Sequence, residues 1–206
     1  MDPADSRSGV TRDRSTPLKV DAQRNLEHVL RAAREVFGEL GYGAPIEDVA
    51  RRARVGVGTV YRRFPSKDIL VRRIAEEEVS RLIEQARAAL GQEDEPWSAL
   101  ARFVRTSASG GGRLVPAVPL HRDQTDQPME QQDQLPAAGM ASLMEVVGQL
   151  VHRAHVSGEL RPDVTVEDVL LLISSSPSPV DDPALEVARQ ARLLDICLEG
   201  LRCRSE

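Results

Sequence analysis

Between Ala53 and Lys67 the chain reads ARVGVGTVYRRFPSK, a run that gathers donors and excludes acids. Thr59 and Tyr61 bring hydroxyls, Arg62 and Arg63 guanidiniums, and Lys67 an ammonium. Donors at this density suit phosphate oxygens, and a guanidinium can also fork onto a guanine edge. Gly56 and Gly58 have no Cβ, so another backbone can come close and the chain can turn sharply. The chemistry on offer is recognition of a polyanion. Catalysis has no such signature: the chain carries no nucleophile elbow, phosphate loop, metalloprotease motif or CxxC pair. No catalytic residue, cofactor or metal is expected; His152 and His155 stand three apart on one helix, but no third ligand accompanies them in sequence.

Composition agrees with a polyanion partner for one part of the chain. The 206 residues carry a net charge of −5, yet residues 1–75 hold 15 Lys and Arg against 10 Asp and Glu, and the remainder holds 12 against 22. Such asymmetry suggests that the front part meets the anion. Hydrophobic residues make up 41% and aromatics 3%, which favours helices packed through aliphatic side chains. No apolar run is long enough to span a membrane, the first twenty residues lack a secretory core, and Cys197 and Cys203 are too few for a disulfide framework. A cytoplasmic protein without a membrane partner is expected.

The elements that must position the donor run follow from periodicity. Residues 1–20 are polar and aperiodic and read as a flexible arm, whose Arg12, Arg14 and Lys19, with Arg24 beyond it, could reach a nucleic-acid backbone. From Asp21 a helix is marked by Leu26, Val29, Leu30, Ala33, Phe37 and Leu40, and Gly41-Tyr42-Gly43 ends it. Pro45 opens a short second helix with Ile46, Val49, Ala50 and Ala53 inward. A turn and a third helix of barely two turns follow, ended by Pro65. Ser66 caps a long fourth helix. Further helices are expected over 96–109, from Ala137 to about Gly158, from a Thr165 cap through the following apolar run, and from Ala184 to Leu201. Residues 109–136 read mostly as loop, with room for a short helix from Arg113 to His121. No strand is expected, and the fold class is all-α.

A third helix so short cannot earn its place as core. It can place its first turn in a DNA major groove, the second helix crossing above it, which is a helix-turn-helix. Lys67, in the first turn of the fourth helix, opposes the helix dipole unless an anion lies near.

The run RAAREVFGELGYGAPIEDVARRARVGVGTVYRRFPSKDIL resembles the DNA-binding region of the TetR family of bacterial transcriptional regulators. The resemblance implies a helix-turn-helix domain over 21–68, joined by the long fourth helix to a helical effector-binding and dimerisation domain over 69–206. It implies a homodimer on double-stranded DNA carrying a palindromic operator, released by a small-molecule effector. Phosphate contacts fall on Thr59, Tyr61 and Lys67, and base-reading positions on Val57, Gly58, Arg62 and Arg63. The sequence departs from the family where Pro45 stands for a usual Thr, Gly56-Val57 for a polar pair and Arg54 for a usual Gly. Arg54 could supply a phosphate contact in their stead.

In the second part, Trp97, Leu100, Phe103, Val104, Met140, Leu143, Met144 and Val147 either line an effector cavity or fill the core. Pairing of the last two helices with a second copy is expected through Val169, Leu171, Leu172, Leu185, Ala188, Leu194, Leu198 and Leu201. The other reading is a helix-turn-helix module that coats or bends DNA with no effector, and an apolar cavity in the second part would separate the two.

Overall fold

The computed structural model describes residues 15–109, 134–175 and 183–203. Within them lie eight helices: α1 (Ser15–Leu40), α2 (Ile46–Ala53), α3 (Val57–Arg63), α4 (Lys67–Gln92), α5 (Pro96–Ser109), α6 (Gln134–Val156), α7 (Val166–Ser174) and α8 (Pro183–Leu201). The described residues form no strand, only an isolated bridge between Leu160 and Arg202. None of the described helices is long and apolar enough to cross a membrane. The expected all-α class is what the structure has. The short helix read over Arg113 to His121 lies outside the described residues, as do residues 1–14 of the expected arm.

Two helices start earlier than their patterns suggest. α1 begins at Ser15 rather than Asp21, and α6 at Gln134 rather than Ala137. In both the surprise is a proline, Pro17 or Pro136, that falls in the first turn. There its missing N–H costs nothing, because the first turn has no acceptor for it.

The chain divides into two compact units, one ending at Pro65 and the other beginning at Ser66. In the first, α1 packs on α2 and α2 on α3. Val29, Leu30, Ala33, Val36 and Phe37 of α1 are buried, as are Ile46, Val49 and Ala50 of α2, Val60 of α3 and Phe64. Gly41, at φ 75°, takes the left-handed conformation that stops α1, and the rings of Phe37 and Tyr42 lie 5.7 Å apart.

In the second unit α5 is the central rod, touching α4, α6, α7 and α8. Leu82, Leu100, Phe103, Leu143, Leu150, Val169, Ile173 and Leu198 belong to one continuous core. Helix ends are closed by side chains. The Ser66 hydroxyl accepts from the Ile69 N–H at 3.2 Å. Thr165 and Asp168 form a reciprocal capping box at the start of α7. Arg153 of α6 donates to the carbonyl of Leu90 in the last turn of α4 and to those of Glu93 and Asp94 just beyond it, groups that have no helical partner. The end of α8 is fastened by the Arg161 N–H to the Leu201 carbonyl and the Cys203 N–H to the Glu159 carbonyl, and the Arg202 guanidinium lies 5.3 Å from the centre of the Trp97 ring.

Candidate nucleic-acid interface

α3 owes its place to one residue. Val60 is 0% exposed, whereas Tyr61 is 43% exposed, and Gly58, Thr59, Arg62 and Arg63 are exposed as well. Val57, at the start of the helix, is half-buried. Six of the eight residues expected to touch DNA thus stand on one seven-residue helix, and the packing of that helix leaves nearly all of them outward. Tyr61 is not a core ring; Phe64, at the end of α3, is the buried aromatic. Lys67 belongs to the other unit, where it opens α4.

The turn before α3 differs from expectation in which residue makes it. Gly56 caps α3 at φ −68° and ψ 141°, ordinary extended backbone, and neither Gly56 nor Gly58 has a positive φ. The left-handed residue is Arg54, at φ 57° and ψ 39°, whose N–H bonds back to the carbonyls of Ala50 and Arg51. The sharp bend is therefore carried by an arginine, and the glycines answer to something else. A Cβ built on Gly58 meets nothing within 4 Å, so nothing among the described residues requires a glycine there.

The charges around α2 are sorted. Arg51 pairs with Asp48 at 2.8 Å, within the helix. Arg52 reaches α1, where it pairs with Glu35 at 3.2 Å and Glu39 at 2.7 Å. The hydrogen bond from Arg52 holds the Glu39 carboxyl below its ordinary value, and both carboxylates make the guanidinium harder to deprotonate. This clasp escaped the sequence reading; its signal was Glu35 and Glu39 one turn apart on α1. Among the described residues, the side chains of Arg54, Arg62 and Arg63 have neither an ion pair nor a hydrogen bond. The sites that fold demands are neutralised, and the cations of the turn and of α3 are left for a partner.

A short helix standing on one valine and pointing donors outward is the second helix of a helix-turn-helix. Comparison with known proteins agrees. The family model described as bacterial regulatory proteins, tetR family, matches residues 29–74. A second, described as transcriptional regulator SbtR-like, C-terminal domain, matches residues 95–203, more than half of the chain. The chain belongs to the TetR family. A TetR transcription regulatory protein from Mycobacterium vanbaalenii, of known crystal structure, is 31% identical, with 91% of this chain and 100% of that one covered and a TM-score of 0.55. A TetR transcriptional regulator from Streptomyces coelicolor is 27% identical over 87% of this chain and 99% of that one, with a TM-score of 0.51. An uncharacterized HTH-type transcriptional regulator from Bacillus subtilis, YvdT, is 35% identical over 75 residues, 36% of this chain and 39% of that protein. The match thus spans about two-fifths of that relative's length.

As a TetR-family regulator the chain carries its second set of expected residues in the C-terminal helical domain. Leu100, Phe103, Val104, Leu143 and Val147 are all 0% exposed and sit in one continuous core, with Trp97, Met140 and Met144 partly buried against it. A groove of about 310 Å³ lies elsewhere, along α4, and is lined by Arg73, Glu76, Glu77, Ser80, Arg81 and Glu84. Its lining is charged rather than apolar, and its arginines are engaged, Arg73 with Glu76 and Glu77 and Arg81 with the buried Glu78.

The residues expected to pair with a second copy divide by burial. Val169, Leu194 and Leu198 are 0%, 4% and 2% exposed and belong to the core of the single chain. Leu172 and Leu201 are half-buried against the same core. The outward large apolar residues of α7 and α8 are Leu171 at 61%, Leu185 at 49%, Val187 at 68%, Leu193 at 39% and Ile196 at 57%, Val187 lying near the start of α8 on the side of Leu194 and Leu198. On α8, Leu185, Leu193 and Ile196 fall on one side of the helix, with the exposed Ala188 at its edge and Leu194 and Leu198 on the other.

Proposed function

We propose that this regulator is a homodimeric repressor that binds a palindromic operator in duplex DNA through α3 and leaves it when a small molecule binds the C-terminal domain. The observation that carries the reading is α3 itself, anchored by Val60 and otherwise turned outward. Thr59, Tyr61 and Lys67 bond phosphate oxygens. Arg62 and Arg63 read base edges, with Val57 against a thymine methyl and Gly58 leaving room for the DNA.

The reading of a dimer is supported by Leu171, Leu185, Leu193 and Ile196, four of the large apolar side chains that α7 and α8 leave exposed. Helices paired across a two-fold axis present two copies of α3 to successive major grooves, about 34 Å apart. The effector favours a state in which that spacing is lost, and it does so by binding that state more tightly. Trp97, Met140 and Met144, which fringe the core, are the side chains we assign to its site. The full burial of Leu100, Phe103, Val104, Leu143 and Val147 favours a second reading, a DNA-binding module with no effector. A small molecule that weakens operator binding removes that alternative. The protein works in the cytoplasm, where the DNA is.

The division of roles is tested by affinity profiles over matched and mismatched duplexes. Tyr61→Phe and Lys67→Ala should weaken binding by a common factor on every sequence, whereas Arg62→Ala should change the order of preference. Parallel losses for all three variants refute the assignment.

A further inference from the structure

Arg54 is the only non-glycine residue at positive φ among the described residues. A left-handed backbone crowds the Cβ of an L-residue against its own carbonyl, and glycine takes that conformation without the clash. An arginine here therefore opposes the stability of the turn. The helix dipole offers a partial reason, since a cation at the end of α2 is favoured. Yet Arg51 and Arg52 already stand in the last turn of α2, and the pull of the dipole on an exposed charge is weaker than the strain.

The neighbours of Arg54 are occupied and it is not. Arg51 is taken by Asp48 at 2.8 Å, and Arg52 by Glu35 and Glu39 at 3.2 and 2.7 Å. Among the described residues the Arg54 side chain has no ion pair or hydrogen bond. It stands two residues before the Gly56 cap of α3. Strain kept at a functional place is a sign that the side chain is needed there.

We propose that Arg54 is a phosphate contact beside the groove that α3 enters, supplying the charge that Pro45 and Val57 cannot, at the expense of turn stability. This deepens the DNA-binding reading above and rests on it. A phosphate contact carries no sequence information, so its loss lowers affinity alike on the operator and on unrelated duplex.

The test compares wild type, Arg54→Gly and Arg54→Lys by fluorescence anisotropy on a selected operator and on unrelated duplex across a salt series, with thermal melting of each protein. Each lost contact flattens the slope of log affinity against log salt by about 0.9, which is about fivefold in affinity at 0.15 M salt. Arg54→Gly is expected to show that loss once per protomer on both duplexes, with a melting temperature that holds or rises. Arg54→Lys is expected to restore most of the slope. Wild-type affinity and slope in Arg54→Gly would overturn the proposal, as would a melting temperature that falls. Arg62→Ala, on α3, is the control: if it weakens operator binding and Arg54→Gly does not, only the role of Arg54 fails. If wild type binds no duplex, the DNA-binding reading itself fails.

Discussion

Gly58→Ala separates what the fold needs from what a partner needs. Gly58 is the second residue of α3, its φ is not positive, and an added Cβ meets nothing within 4 Å. Within the chain, alanine should therefore only help, by about 0.5–1 kcal/mol of helix propensity and lost unfolded-state freedom. For a chain of this length that is a rise of about 1–4 °C in melting temperature. On DNA the same methyl intrudes. If α3 lies against the duplex at Gly58, the overpacking costs about 1–3 kcal/mol per site. Two sites in a dimer then lose more than about tenfold in operator affinity. Circular dichroism melting and anisotropy titration of the same preparation read both numbers. A destabilised variant would mean that the fold requires the glycine, and the open space around it would need another account. A stabilised variant with wild-type affinity would mean that DNA does not approach here, and the orientation assigned to α3 would be wrong.

Other consequences are simpler to read. Ile196→Asp should give a protein of native helix content whose light-scattering mass is that of one chain, while Leu198→Ala, at a core position, should cost about 2–5 kcal/mol without favouring the monomer; a dimeric Ile196→Asp refutes the proposed pairing face. Thr165→Ala removes one half of the α7 capping box and should lower stability by about 1 kcal/mol in urea titration, an unchanged midpoint counting against the box. The Arg52 clasp gives a pH signature. Because the folded Glu39 carboxyl is held below its ordinary value near 4.5, its contribution is present above that pH and is lost as pH falls toward the lowered value. The melting-temperature advantage of wild type over Arg52→Gln should therefore shrink below about pH 4.5, and an advantage independent of pH would show that the clasp is only packing.

The sequence made some of this legible and some not, for physical reasons. Ser66 and Thr165 were readable as caps because a hydroxyl before an apolar run has one use there, and the inward stripe of α1 repeats cleanly over Val29, Leu30, Ala33 and Phe37. α8 was not so readable. It carries leucines on both sides, Leu194 and Leu198 on one and Leu185 and Leu193 on the other, and periodicity alone does not say which side the other helices cover. The early starts of α1 and α6 were hidden by prolines that the first turn tolerates. The candidate interface was legible as a set of residue types, but its geometry was not. The glycines drew attention to the turn that Arg54 makes, and Arg52 gave no local sign that two glutamates of another helix would claim it.

As proposed, this protein reads DNA sequence as a two-fold dimer. Selection of random duplex DNA by the purified protein, followed by salt titration of the winners, tests it most directly. A two-fold dimer should enrich an inverted repeat whose half-sites lie about one helical turn apart. Binding without enrichment, falling steeply with salt alone, would contradict it and leave only contact with phosphate.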